Sequence, residues 1–230
     1  LGNREDLQDK IYMVSPEKTP VVSSIRRFTA TQRLHEWQRD SLATPDKDNA
    51  VIEGDDRTGT ALTATSRVAN TVQLFDKVAV VSGTQEKTKS AGRGSEMKYQ
   101  ISKKMVELKR DIEAMILSDN VAVAGNSSTA RKSAGLGAMV YTNISHGGAG
   151  ATPAHTSGLA TAAQTGGTNR AFTETLLKTV LQASYTTSGE FPSLISLTPS
   201  HKGTFSAFAG IAVNRYQVAK GKQGVIVGGA

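Results

Sequence analysis

An apolar stripe with helical spacing between residues 95 and 117 constrains this chain more than any other feature. Its members recur at spacings of four, three, four, three and one residues, which places them on one face of an α-helix. Ser95 follows Gly92 and Gly94 and can cap the first turn. The pattern predicts one helix, about 34 Å long, with a single buried face. The stripe consists of Ile101, Met105, Leu108, Ile112, Met115 and Ile116.

Opposite charges follow the polar side of the predicted helix. Lys103 stands one turn before Glu107, and Lys109 stands one turn before Glu113. Residues four apart are neighbours on a helix surface, so both couples are predicted to form ion pairs.

The first 50 residues show little periodicity and contain three X-Pro steps, each of which disfavours helix at the preceding residue. Their apolar residues are too widely spaced to form a core of their own. Trp37 argues against a disordered leader, because disordered segments are depleted in such residues. Residues 1–50 are therefore predicted to form an extended N-terminal arm that packs along another surface.

Residues 51–92 show the alternation of a half-buried strand, since Val68, Val72, Leu74, Val78 and Val80 fall on even positions. The run 60–65 is the predicted antiparallel partner, with a turn near residues 66–69. A two-stranded hairpin is marginal in water, so this one is expected to dock on a neighbour.

The region 121–230 begins with a segment rich in Gly, Ala, Ser and Thr that is predicted to be a long loop or flexible flap. A second helix is predicted from residue 171 to 185, ended by Gly189 and Pro192. Residues 194–197 read as a short buried strand, and Thr198 as the start of another helix. The fold class predicted from these elements is α+β.

Composition excludes several function classes. The chain has 230 residues, no cysteine and a net charge of +7 that is spread over small basic pairs. Without cysteine there is no disulfide, zinc–thiolate site or thiol nucleophile. No apolar run approaches the roughly 18 residues of a membrane span. We expect a soluble protein made in the cytoplasm, trimmed at its start because Met is absent, and continuing beyond Ala230.

No arrangement typical of an active site is found in the sequence. The four histidines, His35, His146, His155 and His201, lack metal-binding spacing, and no phosphate-binding or nucleophile-elbow motif is present. His35 and Glu36 would point to opposite faces of an extended segment. We therefore predict no enzymatic activity, no cofactor and no metal.

Several blocks of the first half of the chain resemble one family of tailed-phage major capsid proteins. It is the ordered series of blocks that carries the resemblance, and it includes Arg4-Glu5-Asp6-Leu7, His35-Glu36-Trp37-Gln38 and Arg67-Val68-Ala69-Asn70. The remaining blocks are residues 11–16, 19–20, 40–42, 49–50, 53–54, 73–75, 80–85 and 107–113.

The resemblance implies the Hong Kong 97-type capsid fold. That fold has an N-terminal arm, an extended β-hairpin called the E-loop, a peripheral domain with a long spine helix, and an axial domain. The corresponding segments are 1–50, 51–92, 93–120 and 121–230, the last lacking its C-terminal part. Implied partners are further copies of the chain in hexamers and pentamers, packaged double-stranded DNA, and portal, scaffold or decoration proteins, all in the virion and without a membrane.

Five residues are candidates for contact between subunits, because aromatic and apolar anchors dominate interface energy and charged side chains can pair across it. Each could instead pack within its own chain. They are Trp37, Leu74 and Phe75 as anchors, and Arg67 and Lys77 as ion-pair partners.

Two other functions stay open at this stage. A basic nucleic-acid-binding protein would fit the net charge, although the dispersed lysines do not form the concentrated groove that such proteins need. A small-molecule enzyme using the glycine-rich residues 147–167 is a more distant alternative.

Overall fold

The computed structural model describes residues 10–15, 18–56, 59 and 61–208. Helices and strands alternate irregularly along these residues, and the mixture confirms the α+β class. In chain order the elements are α1 (Pro20–Ser24), β1 (Leu34–Arg39), β2 (Ser66–Thr71), α2 (Gly83–Lys87), α3 (Glu96–Ile116), α4 (Leu136–Met139), β3 (Ala154–Thr156), β4 (Leu159–Ala162), α5 (Glu174–Ser188) and α6 (Pro199–Ser206).

Two compact units are present. One comprises Leu1–Val140 and Pro153–Ala163, and the other comprises Tyr141–Thr152 and Gln164–Ala230. The resembling block at residues 4–7, the residue Thr60 and the apolar triplet at residues 225–227 lie outside the described residues. The four-segment division at residues 50, 92 and 120 stays a prediction.

The strands β1 and β2 form an antiparallel pair, with Leu34 opposite Thr71 and Arg39 opposite Ser66. The predicted hairpin was therefore wrong in its partners. Residues 66–69 form a strand rather than a turn, and the described part of the run 60–65 forms none. Periodicity finds a strand but not its partner, because pairing depends on residues far apart in sequence.

The buried part of the first unit consists mainly of small side chains. Ala138 and Ala160 are fully buried and Ala134 nearly so, with Val121 and Met139 packed around them. The hairpin β3–β4 contributes Ala160 to this cluster, and Ser157 and Gly158 in its two-residue turn both have positive φ. A side chain at Gly158 would meet the Arg67 carbonyl at 2.4 Å, so only glycine allows the turn to approach β2.

The sequence predicted a long loop or flexible flap in the glycine-rich region, but the structure places α4, β3 and β4 there. Small residues there allow close packing, and its polar backbone is largely hydrogen-bonded. In the second unit, Gly147 donates to Gly166 at 2.9 Å and Thr168 donates to Gly148 at 2.8 Å. Composition alone does not distinguish a flexible glycine-rich segment from a tightly packed one.

The helix α3 confirms the prediction from the apolar stripe, including the cap, since Ser95 Oγ accepts from the Lys98 amide. A carboxylate binds the same end of the helix. Glu86, from α2, accepts from the Met97 amide at 2.9 Å and from the Ser95 hydroxyl at 2.7 Å. These hydrogen bonds, that from Ser95 first, hold the pKa of Glu86 below its ordinary value.

The two ion pairs predicted along α3 are replaced by other contacts. Lys104 rather than Lys103 pairs with Glu107, at 2.8 Å, and this hydrogen bond lowers the pKa of Glu107. Glu113 holds the arm instead. Its two carboxylate oxygens accept from the amides of Val21 and Val22 at 2.9 and 2.8 Å.

The described part of the arm is thus not uniformly extended. Pro20 begins the five-residue helix α1, as proline often does at a first helical position. Val21 and Val22 are each 8% exposed, and their amides, which have no partner within so short a helix, bind the Glu113 carboxylate. A carboxylate on α3 therefore fastens residues 20–24 to the long helix.

The second unit contains α5 and α6. Thr173 caps α5, and Gly189 ends it in the left-handed conformation, as predicted. Thr198 caps α6, also as predicted. The predicted buried strand at 194–197 is not formed, because these residues pair with no strand in the described part of the chain and Leu194 is 63% exposed.

We expect Glu113→Ala to release residues 20–24 from α3, because it removes two hydrogen bonds to a charged acceptor. The loss is about 2 kcal/mol, so tryptic cleavage at Lys18 and Arg26 should accelerate by more than about tenfold. Glu107→Ala is the matched control on the same helix. Equal cleavage rates in the two variants would contradict the role of Glu113 in holding residues 20–24 on α3.

We expect Glu86→Ala to lower the Tm at pH 7, because the carboxylate satisfies the first turn of α3. The folded pKa is depressed, so this stabilisation is present above the ordinary pKa of 4.5 and disappears as the pH falls through the folded value. Thermal unfolding of both proteins from pH 7 to about pH 3 measures the difference in Tm. A difference that persists at the acid end would contradict the assignment.

Candidate inter-subunit surface

Large apolar side chains lie exposed on a single copy of this chain. Within the described ranges, no large side chain is fully buried, whereas many large apolar ones are exposed. A chain of this length ordinarily buries a substantial core. Contiguous exposed apolar surface marks sites of association. The residues predicted to contact other subunits belong to the unit that carries much of this exposed surface.

Trp37 lies in a row of aromatic rings along β1. Its ring stacks on His35 at a centroid distance of 5.8 Å, and His35 in turn contacts Phe28 at 4.8 Å. Residues 35 and 37 share one face of the strand because side chains alternate. Trp37 is 40% exposed and Phe28 is 73% exposed. The row therefore presents a partly exposed aromatic surface to solvent.

Leu74 and Phe75 follow the end of β2. Leu74 is 78% exposed, whereas Phe75 is half-buried. Leu74 also lines a cleft of about 480 Å³ together with Arg33 and residues of the loop 124–131. Of the three predicted anchors, Leu74 is the most available to a second molecule.

Arg67 and Lys77 each have a carboxylate partner in the same copy. The Arg67 guanidinium lies 3.6 Å from Glu36 on the neighbouring strand. Lys77 Nζ lies 2.7 Å from Asp111 of α3, and this hydrogen bond raises the pKa of Lys77. Both ion pairs are well exposed to water, where such pairs contribute little. Contact of either cation with another subunit stays a prediction.

The N-terminal half of the α3 stripe is also uncovered. Ile101 is 47% exposed and Met105 is 59% exposed. With Ala79 and Leu108 they line a groove of about 250 Å³, bordered by Lys77 and Lys104. The predicted buried face is thus only partly buried in one copy.

The five predicted residues do not form a single cluster. Trp37 and Arg67 occupy adjacent register positions of the β1–β2 pair, Leu74 lies three residues beyond the end of β2, and Lys77 lies against α3. All five lie in the first unit, on the strand pair or in the segment that follows β2. An extended contact surface fits this distribution better than a compact binding pocket does.

Sequence reasoning missed Phe28, Arg33 and Arg131. Phe28 was recognised as apolar, but its contact with His35 depends on how the arm turns. The cleft around Arg33 depends on a turn at Asn126, whose side-chain oxygen accepts from the amides of Ser128 and Thr129. The Asn-Ser-Ser sequence was itself the available signal for that turn.

The described part of the chain contains no cluster of three or more His, Asp or Glu residues able to hold a metal ion. No described helix is both long and apolar enough to cross a membrane.

Comparison with known proteins gives two matches. The family model for the SU10 major capsid protein matches residues 1–228. The major capsid protein of Escherichia phage Phieco32 is 37% identical over 117 residues, which is 51% of this chain. The matched region spans 33% of that protein's length.

We expect Arg67→Ala to change the free energy of unfolding of a single copy by less than about 1 kcal/mol, because its partner Glu36 is solvated. Urea denaturation at low protein concentration measures this change. Glu36→Ala is the matched control and should behave alike. A loss of several kcal/mol would show instead that the pair supports the sheet itself.

Proposed function

This chain belongs to the SU10 major capsid protein family, and we propose that it is the repeating subunit of a tailed-phage head. Copies associate into hexamers and pentamers, and these rings tile an icosahedral shell around double-stranded DNA. The observation that carries the proposal is the family match together with the large apolar side chains exposed on a single copy.

The proposed fold is the Hong Kong 97 type. The arm, predicted as residues 1–50, corresponds to the residues before β1, the spine helix corresponds to α3 within 93–120, and the second compact unit contributes the axial domain within 121–230. The strands β1 and β2, with the 26 residues that connect them, correspond to the E-loop. This moves the start of the E-loop from residue 51 to β1. Element order, rather than any single contact, supports this proposal.

Assembly through different surfaces of each copy explains why so much apolar surface is exposed. Heterologous contacts between unlike surfaces close into rings when the rotation between copies permits. Trp37, Leu74 and Phe75 are the proposed anchors, and Arg67 and Lys77 the proposed polar contacts. Burial of such side chains on a neighbour contributes roughly 25 cal/mol for each Å² of apolar surface removed from water.

The proposed relation to DNA is non-specific. A net charge of +7 favours contact with phosphates without sequence readout. The alternative of a free nucleic-acid-binding protein gains no support from the comparisons. Portal, scaffold and decoration proteins are further proposed partners, the virion is the proposed location, and no catalysis is proposed.

Electron microscopy and light scattering of the protein expressed with its native C-terminus test this function. We expect shells, rings or tubes of regular diameter, with scaffold supplied if required. A protein that stays monomeric under both conditions would contradict assembly.

We expect Leu74→Ser to reduce the yield of assembled particles while leaving the Tm of the single copy nearly unchanged, because an exposed side chain contributes little to folding. Leu117→Ser, at a residue that is 49% exposed, is the matched control. Sedimentation and thermal unfolding measure the two properties. Equal particle yields for both variants would remove Leu74 from the contact surface.

A further inference from the structure

The cleft beside Leu74 is strongly basic. Arg33 enters it from the start of β1, and Arg131 from the loop 124–131, whereas none of its lining residues is acidic. Among the described residues, no carboxylate lies within ion-pair distance of either guanidinium. Two arginines that line one concave surface and form no ion pair within the described ranges favour carboxylate or phosphate groups.

The loop holds Arg131 in place. Backbone hydrogen bonds between Val123 and Lys132, at 2.9 and 3.0 Å, close the base of the loop. Gly125 has a φ of +71°, and a side chain there would come within 2.5 Å of Arg131 Cγ. The stem of Arg131 therefore packs directly on the glycine backbone, which limits the conformational entropy that the side chain loses on binding.

The connection between β1 and β2 carries the complementary charge. Residues 40–56 contain six carboxylates and one lysine, a net charge of −5 in a chain whose total is +7. A few apolar side chains are interspersed among these carboxylates and lie open to solvent, Leu42 at 98% exposure and Ile52 at 77%. An acidic, apolar, solvent-exposed segment matches a basic cleft that has an exposed leucine at its edge.

The cleft and the acidic connection lie at opposite ends of the same pair of strands. Arg33 immediately precedes β1, whereas the connection departs after Arg39. Six residues of strand separate them by about 20 Å, and a connection of this length extends as far as about 40 Å from the sheet. Unlike surfaces at opposite ends of one molecule fit a head-to-tail contact between copies.

We propose that the cleft formed by Arg33, Arg131 and Leu74 receives the acidic connection, residues 40–56, of a neighbouring copy. Carboxylates of the connection pair with the two guanidinium groups, and an apolar side chain of the connection packs on Leu74. This inference rests on the proposed assembly function and assigns one of its contacts. Because charges carry the contact, assembly weakens as ionic strength rises.

Cysteine crosslinking tests the contact directly, because residues 1–230 contain no cysteine. Copies carrying Leu74→Cys are mixed with copies carrying Leu42→Cys or Ile52→Cys, assembled, and treated with a short bis-maleimide. We expect crosslinked heterodimers at about fivefold or more above a Leu194→Cys control, since only residues held close together link efficiently. Absence of this enrichment for both partners would overturn the proposal.

Charge reversal gives a second test. We expect Arg33→Glu with Arg131→Glu to reduce particle yield by about tenfold, because like charges then face each other. Adding Glu53→Lys and Asp55→Lys should restore the yield. Arg110→Glu with Lys132→Glu makes the same change in net charge outside the cleft and serves as control. Far-ultraviolet circular dichroism verifies that each charge-reversed variant keeps its helices. If a variant does not fold, the crosslinking experiment decides whether the contact forms.

The outcomes separate the two hypotheses. Failure of the natural protein to assemble would contradict the proposed function. Normal assembly of the reversed variant would overturn the cleft contact alone. Normal shells that retain less DNA would assign the cleft to phosphate groups and likewise overturn the acidic connection as its occupant.

Discussion

The first unit depends on the hydrogen bonds that join β2 to the segments around it. One edge of this strand pairs with β1, and the Ala69 amide donates to Gly158 of the β3–β4 hairpin at 3.0 Å. The Asn70 side chain bonds both the carbonyl and the amide of Ala134, at 3.2 and 2.9 Å. A two-stranded ribbon alone is marginal in water. These hydrogen bonds attach it to the alanine cluster, which supplies the missing support.

The same arrangement explains how a small core suffices. The cluster of Ala134, Ala138 and Ala160 allows close approach of backbones but buries little apolar area, and hydrophobic stabilisation is proportional to that area. Hydrogen bonds to single side chains therefore hold several segments in place. The Glu113 carboxylate fastens the arm to α3, and the Glu86 carboxylate caps the start of α3. A subunit that gains burial from its neighbours needs less of a core of its own.

Charge is distributed unevenly along a chain that looks merely basic in total. The acidic residues 40–56 project from one end of the β1–β2 pair, and two arginines without ion-pair partners in the described structure flank its other end. By contrast, Arg67 and Lys77 have their partners in the same copy. Uncompensated charge is the better indicator of an external contact, because a charge with a local partner gains less from a new one.

The sequence by itself determined the long helix and several helix ends, and it indicated the family. The stripe from Ile101 to Ile116 requires a helix because its spacing matches 3.6 residues per turn, and Ser95, Thr198 and Gly189 mark helix ends through their own backbone chemistry. The blocks along the first half that resemble a phage family were enough to indicate a capsid protein.

Only the tertiary structure decided the partners. Pairing of β1 with β2 joins residues more than 25 positions apart, and neither strand's alternation specifies its neighbour. Glu113 binds the amides of Val21 and Val22 and not its predicted partner Lys109, and this likewise depends on where the chain folds back. Secondary structure follows from short-range sterics and spacing, whereas contacts between distant segments depend on the packing of the whole unit, which no local pattern encodes.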